Sequence, residues 1–315
     1  MTSGTGVGRR DQLFFPAGTT VGGNSDPVLV TPDLAGWTYA GLRVVRIEPG
    51  GSRTLATGGD ELAVLPLAGS CVVECDGYSF ALEGRDSVFH RVTDFASVPI
   101  DAEVRLSSAG GCELALPAAR ASRRLDPAYG PAEAVPVEVR GAGQATRQVN
   151  NFLEPSAFPA DKLVAVEVLT PDGNWSSYPP HKHDTASECE AVLEEIYYFR
   201  IGGSGGSGAS GGFGLHRTYS ADGLIDATVT VRDGDVFLIP RGYHGPCVAP
   251  PGYPMHYLNV LAGPAPERTL RFCDDPSHHW VRETWADQDP DPRCPLTTAD
   301  GPTAAMGGPT KGAAT

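Results

Sequence analysis

Apolar residues along this chain come in short runs, and Gly, Pro or Asp breaks one run from the next. In the first half the runs cover residues 42–47, 62–67, 71–75, 78–82, 88–90, 104–106 and 112–116. In the second they cover 163–169, 196–201, 213–219, 227–231, 236–239 and 257–261. Val, Ile and aromatic residues dominate them, and their lengths suit strands. Helical periodicity is weak, with one short turn of helix expected over 186–193. With 39 Gly and 28 Pro, long helices are excluded and turns must be many. The pattern predicts an all-β protein built as sandwiches or barrels, not a parallel sheet.

The 315 residues suggest about two domains. Residues 1–12 and 300–315 read as loose, Gly/Pro-rich ends. Residues 117–145, rich in Pro, Ala and Arg, read as a linker between two β units, and residues 202–212 (GGSGGSGASGG) as an exposed loop between strands. The halves resemble a diverged repeat. Asp60-Glu61-Leu62-Ala63-Val64 parallels Glu194-Glu195-Ile196-Tyr197-Tyr198; Gly69 stands eight residues after Glu61, as Gly203 does after Glu195. Each half continues through an Arg/Asp/Gly turn into an apolar strand, at residues 84–89 and 233–238. The expected units are 13–130, 131–299 and a flexible tail, 300–315.

The formal charge of −14 argues against binding to nucleic-acid phosphates or anionic lipid. No apolar stretch is long enough to span a membrane, and the first residues lack a signal-peptide pattern, so a cytoplasmic chain is expected. Seven cysteines form an odd set without a CxxC pair, which fits a reducing compartment; Cys71 and Cys75 read as small core residues.

Seven of the eight histidines (181, 183, 216, 244, 256, 278 and 279) lie in the second half. His181 and His183 form His-x-His, which on a strand puts both imidazoles on one face and turns Lys182 away. Glu195 opens what reads as the next strand, and His244 follows a strand and a tight turn. Three imidazoles and one carboxylate would hold a borderline divalent ion. Glu194 is a rival ligand, because the eleven residues between His183 and Glu195 (DTASECEAVLE) carry four acids. The first half keeps Glu61 but has no His-x-His before it, so its unit is expected to be metal-free and structural.

The His-x-His, the later Glu and the Gly-Asp-x5-Pro-x-Gly turn leading to His resemble the two cupin motifs. More narrowly, the second half is similar to the 5-deoxy-glucuronate isomerases of myo-inositol breakdown, through WSSYPPHKHD (175–184), LEEIYYFR (193–200), GFGLHRTY (212–219), VRDGDVFLIPRGYH (231–244), YLNVLAGP (257–264) and DDPSHHW (274–280). The resemblance implies a bicupin, two double-stranded β-helix (jelly-roll) barrels in one chain. His181, His183, Glu195 and His244 are then the ligands of a divalent metal, zinc first, with Mn, Fe or Ni open. Two departures stand out. The His183–Glu195 interval is longer than in most cupins, and the turn before His244 is one residue shorter.

The implied reaction is aldose–ketose isomerisation of a small sugar acid. It needs a Lewis acid, a base and a cation for the distal carboxylate. Tyr243, His216, His256 and Glu194 are candidate bases; Arg217, Arg241 and Lys182 are candidate clamps. Glu195, Tyr243, His256 and Arg217 are the expected catalytic set. Trp175 and Tyr197 read as barrel lining, and His278 and His279 as C-terminal packing. Alternatives are the related 4-deoxy-5-keto-uronate isomerase of pectin breakdown, a cupin dioxygenase and a non-catalytic sugar-binding cupin. Self-association through exposed strand edges is compatible with the sequence.

Overall fold

The computed structural model describes residues 12–20, 26–203 and 211–303. The ends at 1–11 and 304–315, and most of the Gly/Ser loop (204–210), lie outside the described residues. All pairing between named strands is antiparallel. Strands from Val28–Val30 to Ala128–Gly130 pair only among themselves, in one nine-stranded sheet. Strands from Val137–Arg140 onward supply six strands of a seven-stranded sheet, all of a six-stranded sheet packed face to face with it, and a two-stranded ribbon of Thr297–Thr298 and Gly301–Pro302. One strand crosses this division: Phe14–Phe15 pairs with Val236–Ile239, placing Phe14 opposite Phe237.

The two apolar runs at 62–67 and 71–75 belong to one 16-residue strand, Asp60–Cys75. It passes between the two faces of the first barrel at Gly69, where the register shifts. Gly69 has φ +80°, and a Cβ there would lie 2.4 Å from the Gly111 carbonyl, so only glycine makes this bend. Residues 88–90 form a turn instead of a strand. The segment 117–145 is more than a linker. The strand Cys112–Arg120 runs through Pro117, Ala128–Gly130 joins the first barrel, and Val137–Arg140 joins the second.

Alternation sorts most buried side chains into three large apolar clusters, beside a small one of Val164, Ala191, Leu193 and Leu261. One fills the first barrel (Leu62, Val64, Val73, Leu106), one the second (Tyr197, Phe199, Phe237, Tyr257). The third lies between them and takes the opposite faces of the same strands: Ala63, Leu65 and Leu67 from one barrel, Ile196, Tyr198 and Leu258 from the other.

Polar ties cross this apolar seam. Arg85 of the first barrel forms a bidentate pair with Glu167 of the second, and His256 Nε2 lies 2.9 Å from the same carboxylate. The remaining ties are reciprocal. Glu61 accepts hydrogen bonds from the backbone N–H groups of Asp161, Lys162 and Leu163 at 2.8, 2.5 and 2.7 Å. Glu194 accepts them from Thr38, Tyr39 and Ala40 at 2.7, 2.7 and 2.8 Å. Each carboxylate stands at the start of a strand and caps the backbone leading into a strand of the other barrel. Glu61 is thus the counterpart of Glu194, and the repeat is offset by one residue from the alignment of Glu61 with Glu195. By side-chain direction, Leu62 occupies the place of Glu195.

The insert 184–194 contains no helical turn. Lys182 bonds Asp184 and Glu190 at 2.7 and 2.5 Å and holds it in an irregular path. A Cys189–Cys273 disulfide, with Cα atoms 5.5 Å apart, ties it to the strand beside His181–Lys182. This pair departs from the reading of the cysteines as those of a reducing compartment; Cys71 and Cys75 are buried and free as expected. Among the described residues no helix is long and apolar enough to cross a membrane.

Candidate metal centre

Three elements of the second barrel bring the cluster together. The strand His181–Lys182 pairs His181 with His244 of Tyr243–Val248, and Glu195 begins Glu194–Ile201 on the facing sheet. Gly242, at φ +91°, makes the tight turn before His244; a Cβ there would come within 2.6 Å of the Tyr219 carbonyl.

Glu195 Oε2 lies 2.9 Å from His183 Nε2 and 3.0 Å from His244 Nε2. One donor atom from each of these residues falls within 4.8 Å of the others. His181 stands beside them, its ring centroid 4.5 Å from that of His244. In all three imidazoles Nδ1 faces a backbone carbonyl: Pro179 at 3.4 Å, Leu193 at 3.0 Å and Gly242 at 3.3 Å for His181, His183 and His244. An Nδ1–H donated to a carbonyl leaves the lone pair on Nε2, the arrangement in which a histidine binds metal. His244 is fully buried, yet its Nε2 has no hydrogen-bond partner; the Glu195 oxygen is near enough but off axis. The cluster therefore concentrates lone pairs with too few protons between them. A divalent cation resolves that crowding, so the donor set fits a metal ion.

The electrostatics of the cluster pull in different directions. Burial alone would raise the Glu195 carboxyl, but His244 and His183 outweigh it and hold the group well below the usual carboxylate range. Burial opposes a charge on His183 as well, and its contact with Glu195 reverses the sign and raises it. His181 is pushed well below the ordinary imidazole value by burial and then by His244.

The cluster opens into a cavity lined by His181, His183, Glu195, Tyr197, Tyr257 and Asn259, with Arg140, Arg147, Arg282 and Phe272 among the remaining wall residues. The Ser177 hydroxyl bridges the phenols of Tyr197 and Tyr257 at 3.0 and 3.1 Å.

The structure places the other expected residues elsewhere. Glu194 points into the seam between barrels, because neighbours on a strand face opposite ways. For the same reason His256, between cavity-lining Tyr257 and buried Met255, faces the seam and Glu167. His216 is sealed in the core, 3.1 Å from Cys247 Sγ and 3.0 Å from Thr218 Oγ1, and burial, with His244 next to it, lowers it to about 3. Tyr243 packs at a tilt against Tyr219, away from the cavity-lining residues. Arg217 is half exposed and pairs with Asp226, Arg241 pairs with Asp222, and Lys182 is held by Asp184 and Glu190. Tyr197 lines the cavity, whereas Trp175, read as barrel lining, is 41 % exposed. His279 pairs with Asp274 at the surface.

A chain duplicated into two antiparallel barrels, with a His/Glu cluster inside the second, is a bicupin with a candidate metal centre. The sequence profile of the KduI/IolB family matches residues 16–281, and the chain belongs to that family. The 5-deoxy-glucuronate isomerase of Geobacillus thermodenitrificans (strain NG80-2) is 40 % identical over 260 residues, covering 82 % of this chain and 91 % of its own. That of Bacillus subtilis (strain 168) is 35 % identical over 257 residues, covering 81 % and 92 %. The crystal structure of an IolB-like protein from Salmonella typhimurium LT2 superposes with a TM-score of 0.77 at 33 % identity, covering 86 % of this chain and 99 % of its own. An oxalate decarboxylase from Lactobacillus farciminis shares the fold, with a TM-score of 0.59 at 14 % identity.

Proposed function

We propose that this protein is a metal-dependent aldose–ketose isomerase that converts 5-deoxy-D-glucuronate to 5-dehydro-2-deoxy-D-gluconate in myo-inositol catabolism. Residues 13–130 form its metal-free structural barrel and 131–299 its catalytic barrel. The observation that carries this reading is the convergence of His183, His244 and Glu195, with His181 beside them, at the end of a cavity lined with hydroxyl, amide and guanidinium groups. The family membership and the names of the 35–40 % identical relatives support the choice of substrate.

His181, His183, Glu195 and His244 would hold the ion, with zinc the first candidate and manganese, iron or nickel compatible with the same donors. A bound divalent ion supplies the Lewis acid that polarises the sugar carbonyl and stabilises charge developing beside it. The remaining residues orient and donate. Burial pushes the Tyr197 and Tyr257 phenols above the ordinary tyrosine value, so both keep their protons at neutral pH and serve as donors, not as the base. Phe272 packs against the His181 ring, with centroids 4.6 Å apart, and closes one wall against water.

The test is turnover of 5-deoxy-glucuronate followed by NMR, paired with elemental analysis of the purified protein. One bound divalent ion per chain and conversion to the ketone are expected. Turnover only of 4-deoxy-5-keto-uronate, or oxygen uptake tied to product, would overturn this reading.

A further inference from the structure

Three guanidinium groups line the cavity that holds the cluster, and they are not equivalent. Arg140 is neutralised by Glu138 through a two-pronged contact at 2.8 and 2.6 Å. Arg282 is neutralised by Asp274 at 2.7 and 2.7 Å. Arg147 has no carboxylate partner among the described residues. Its Nη1 donates to the Ala145 carbonyl at 3.0 Å and, at the limit of contact, to the Tyr178 carbonyl at 3.5 Å. Its Nε and Nη2 have no acceptor among the described residues. Yet Arg147 is only 5 % exposed.

A buried cation without a counter-charge is costly, and a folded protein keeps one where something else brings the charge. Glu138, itself bonded to Arg140, offsets the charge of Arg147 only in part. Burial, with Arg140 alongside and Arg282 nearby, lowers its proton affinity to about 10, so it stays charged at neutral pH but under strain from its neighbours. Arg147 and Arg282 also share an aromatic wall: Arg147 lies 5.4 Å from the Trp285 ring centroid and Arg282 4.8 Å. This cation–π contact holds both groups against one ring and leaves Nε and Nη2 of Arg147 unspent. A second donor in the same cavity is also idle. Asn259 is 5 % exposed, and its Nδ2 is buried without a partner.

We infer that Arg147, assisted by Asn259, is the clamp for the substrate's carboxylate, and so the residue that makes the site specific for a sugar acid over the neutral sugar. The cavity then has two chemically distinct ends: imidazoles and a carboxylate for the carbonyl end of the substrate, and a free guanidinium for the acid end. A planar fork meeting a carboxylate through two parallel hydrogen bonds is what an unpaired arginine is suited to make. The inference deepens the isomerase reading and rests on it for the substrate named.

The experiment is calorimetric binding of 5-deoxy-glucuronate and of the analogue carrying CH2OH in place of its carboxylate, to the wild type and to Arg147→Lys and Arg147→Gln. The wild type is expected to bind the acid about 100-fold tighter than the alcohol. In Arg147→Gln that preference should collapse to within a few-fold, with metal content and affinity for the alcohol unchanged. Arg147→Lys should restore part of it, because the charge survives without the fork. If Arg147→Gln does not fold, the lysine variant and the wild-type acid/alcohol ratio decide. A wild type indifferent to the carboxylate, or a glutamine or lysine variant with the full preference, overturns the clamp. Acid binding that depends on Arg147 without turnover would keep the clamp and sink the isomerase reading.

Discussion

The two barrels share a strand that they use differently. In Asp60–Cys75 the residues facing the barrel interior begin with Leu62 and Val64, which pack into an apolar cluster with Val73 and Leu106. In Glu194–Ile201 the same face begins with Glu195 and Tyr197, and the interior carries four imidazoles (His181, His183, His216 and His244), two phenols and a carboxylate. The outward faces are alike: Glu61 and Glu194 both cap the other barrel's backbone, and Ala63 and Ile196 both pack in the seam. Duplication has thus kept the face that joins the copies and diverged on the face that encloses space. The seam holds the molecule together. The second interior carries polar groups that stability alone would not select.

The largest effect should come from making the second interior like the first. Glu195→Leu installs the residue that the first barrel has at this place. Bound metal should fall to background and turnover by at least ~10^3-fold, because the Lewis acid leaves with its carboxylate. Compared in the metal-free state, the variant should lose some stability near neutral pH, because His244 and His183 hold the Glu195 carboxyl low, and that loss should narrow as pH falls. Elemental analysis, turnover and a denaturant melt of the two metal-free proteins check the three parts. A variant that binds metal normally would dissolve the contrast between the barrels.

The seam should respond in the opposite sense, with stability lost before chemistry. Glu167→Gln leaves the Arg85 guanidinium buried without its charge partner, at a cost of about 3–5 kcal/mol. Its pH dependence has a definite sign. Burial by itself would raise the Glu167 carboxyl, but Arg85 and then His256 outweigh it and hold the group well below the usual range. A carboxyl depressed on folding contributes stability that is complete above its unfolded value, about 4.3, and is lost as pH falls toward the folded value. The gap between wild type and Glu167→Gln should therefore be widest near neutrality and narrow below about pH 4. Urea melts from pH 7 to pH 3 measure it; a gap independent of pH would remove the ion pair from the account.

How much of this was legible beforehand depended on which periodicity a residue obeyed. The all-β class followed from short apolar runs, and the four residues proposed as ligands stand on recognisable spacings: His181-x-His183, a Glu opening an apolar strand, and the turn ending in His244. Choosing between Glu194 and Glu195 was harder, because both open the strand and only alternation against the partner sheet separates them. The repeat alignment erred by one residue for the same reason. Arg147 was invisible. Its strand, Arg147–Leu153, is buried on both faces, so RQVNNFL shows neither alternation nor an apolar run, and the stretch before it, 117–145, reads as linker in the sequence. His256 and Arg217 were named by residue type and nearness in sequence to the motifs, and type says nothing about which face of a strand a side chain takes. The insert 184–194 looked helical in short range, but the Lys182 ion pairs and the Cys189–Cys273 tie, both set by tertiary contacts, decide its path.

The smallest expected effect tests the symmetry of the seam itself. Glu61 and Glu194 each accept three backbone N–H groups from the other barrel, and a glutamine in either place keeps one acceptor oxygen and loses the charge. Each variant should cost about 1–3 kcal/mol, the scale of leaving backbone donors poorly paired at a partly buried site. Glu61 is 4 % exposed, so its donors have little water to turn to; Glu194 lies nearer the surface, and its loss should fall at the lower end. The staples use separate backbone segments, 161–163 and 38–40, so the double variant should cost the sum of the two within about 0.5 kcal/mol. Denaturant midpoints of the two single variants and the double decide it. Glu194→Gln should also leave bound metal unchanged, although it adjoins Glu195 in sequence, because adjacent strand residues serve opposite faces. Loss of metal from Glu194→Gln would mean that the seam and the cluster are one structure, and that the division of labour between the two faces of this strand is false.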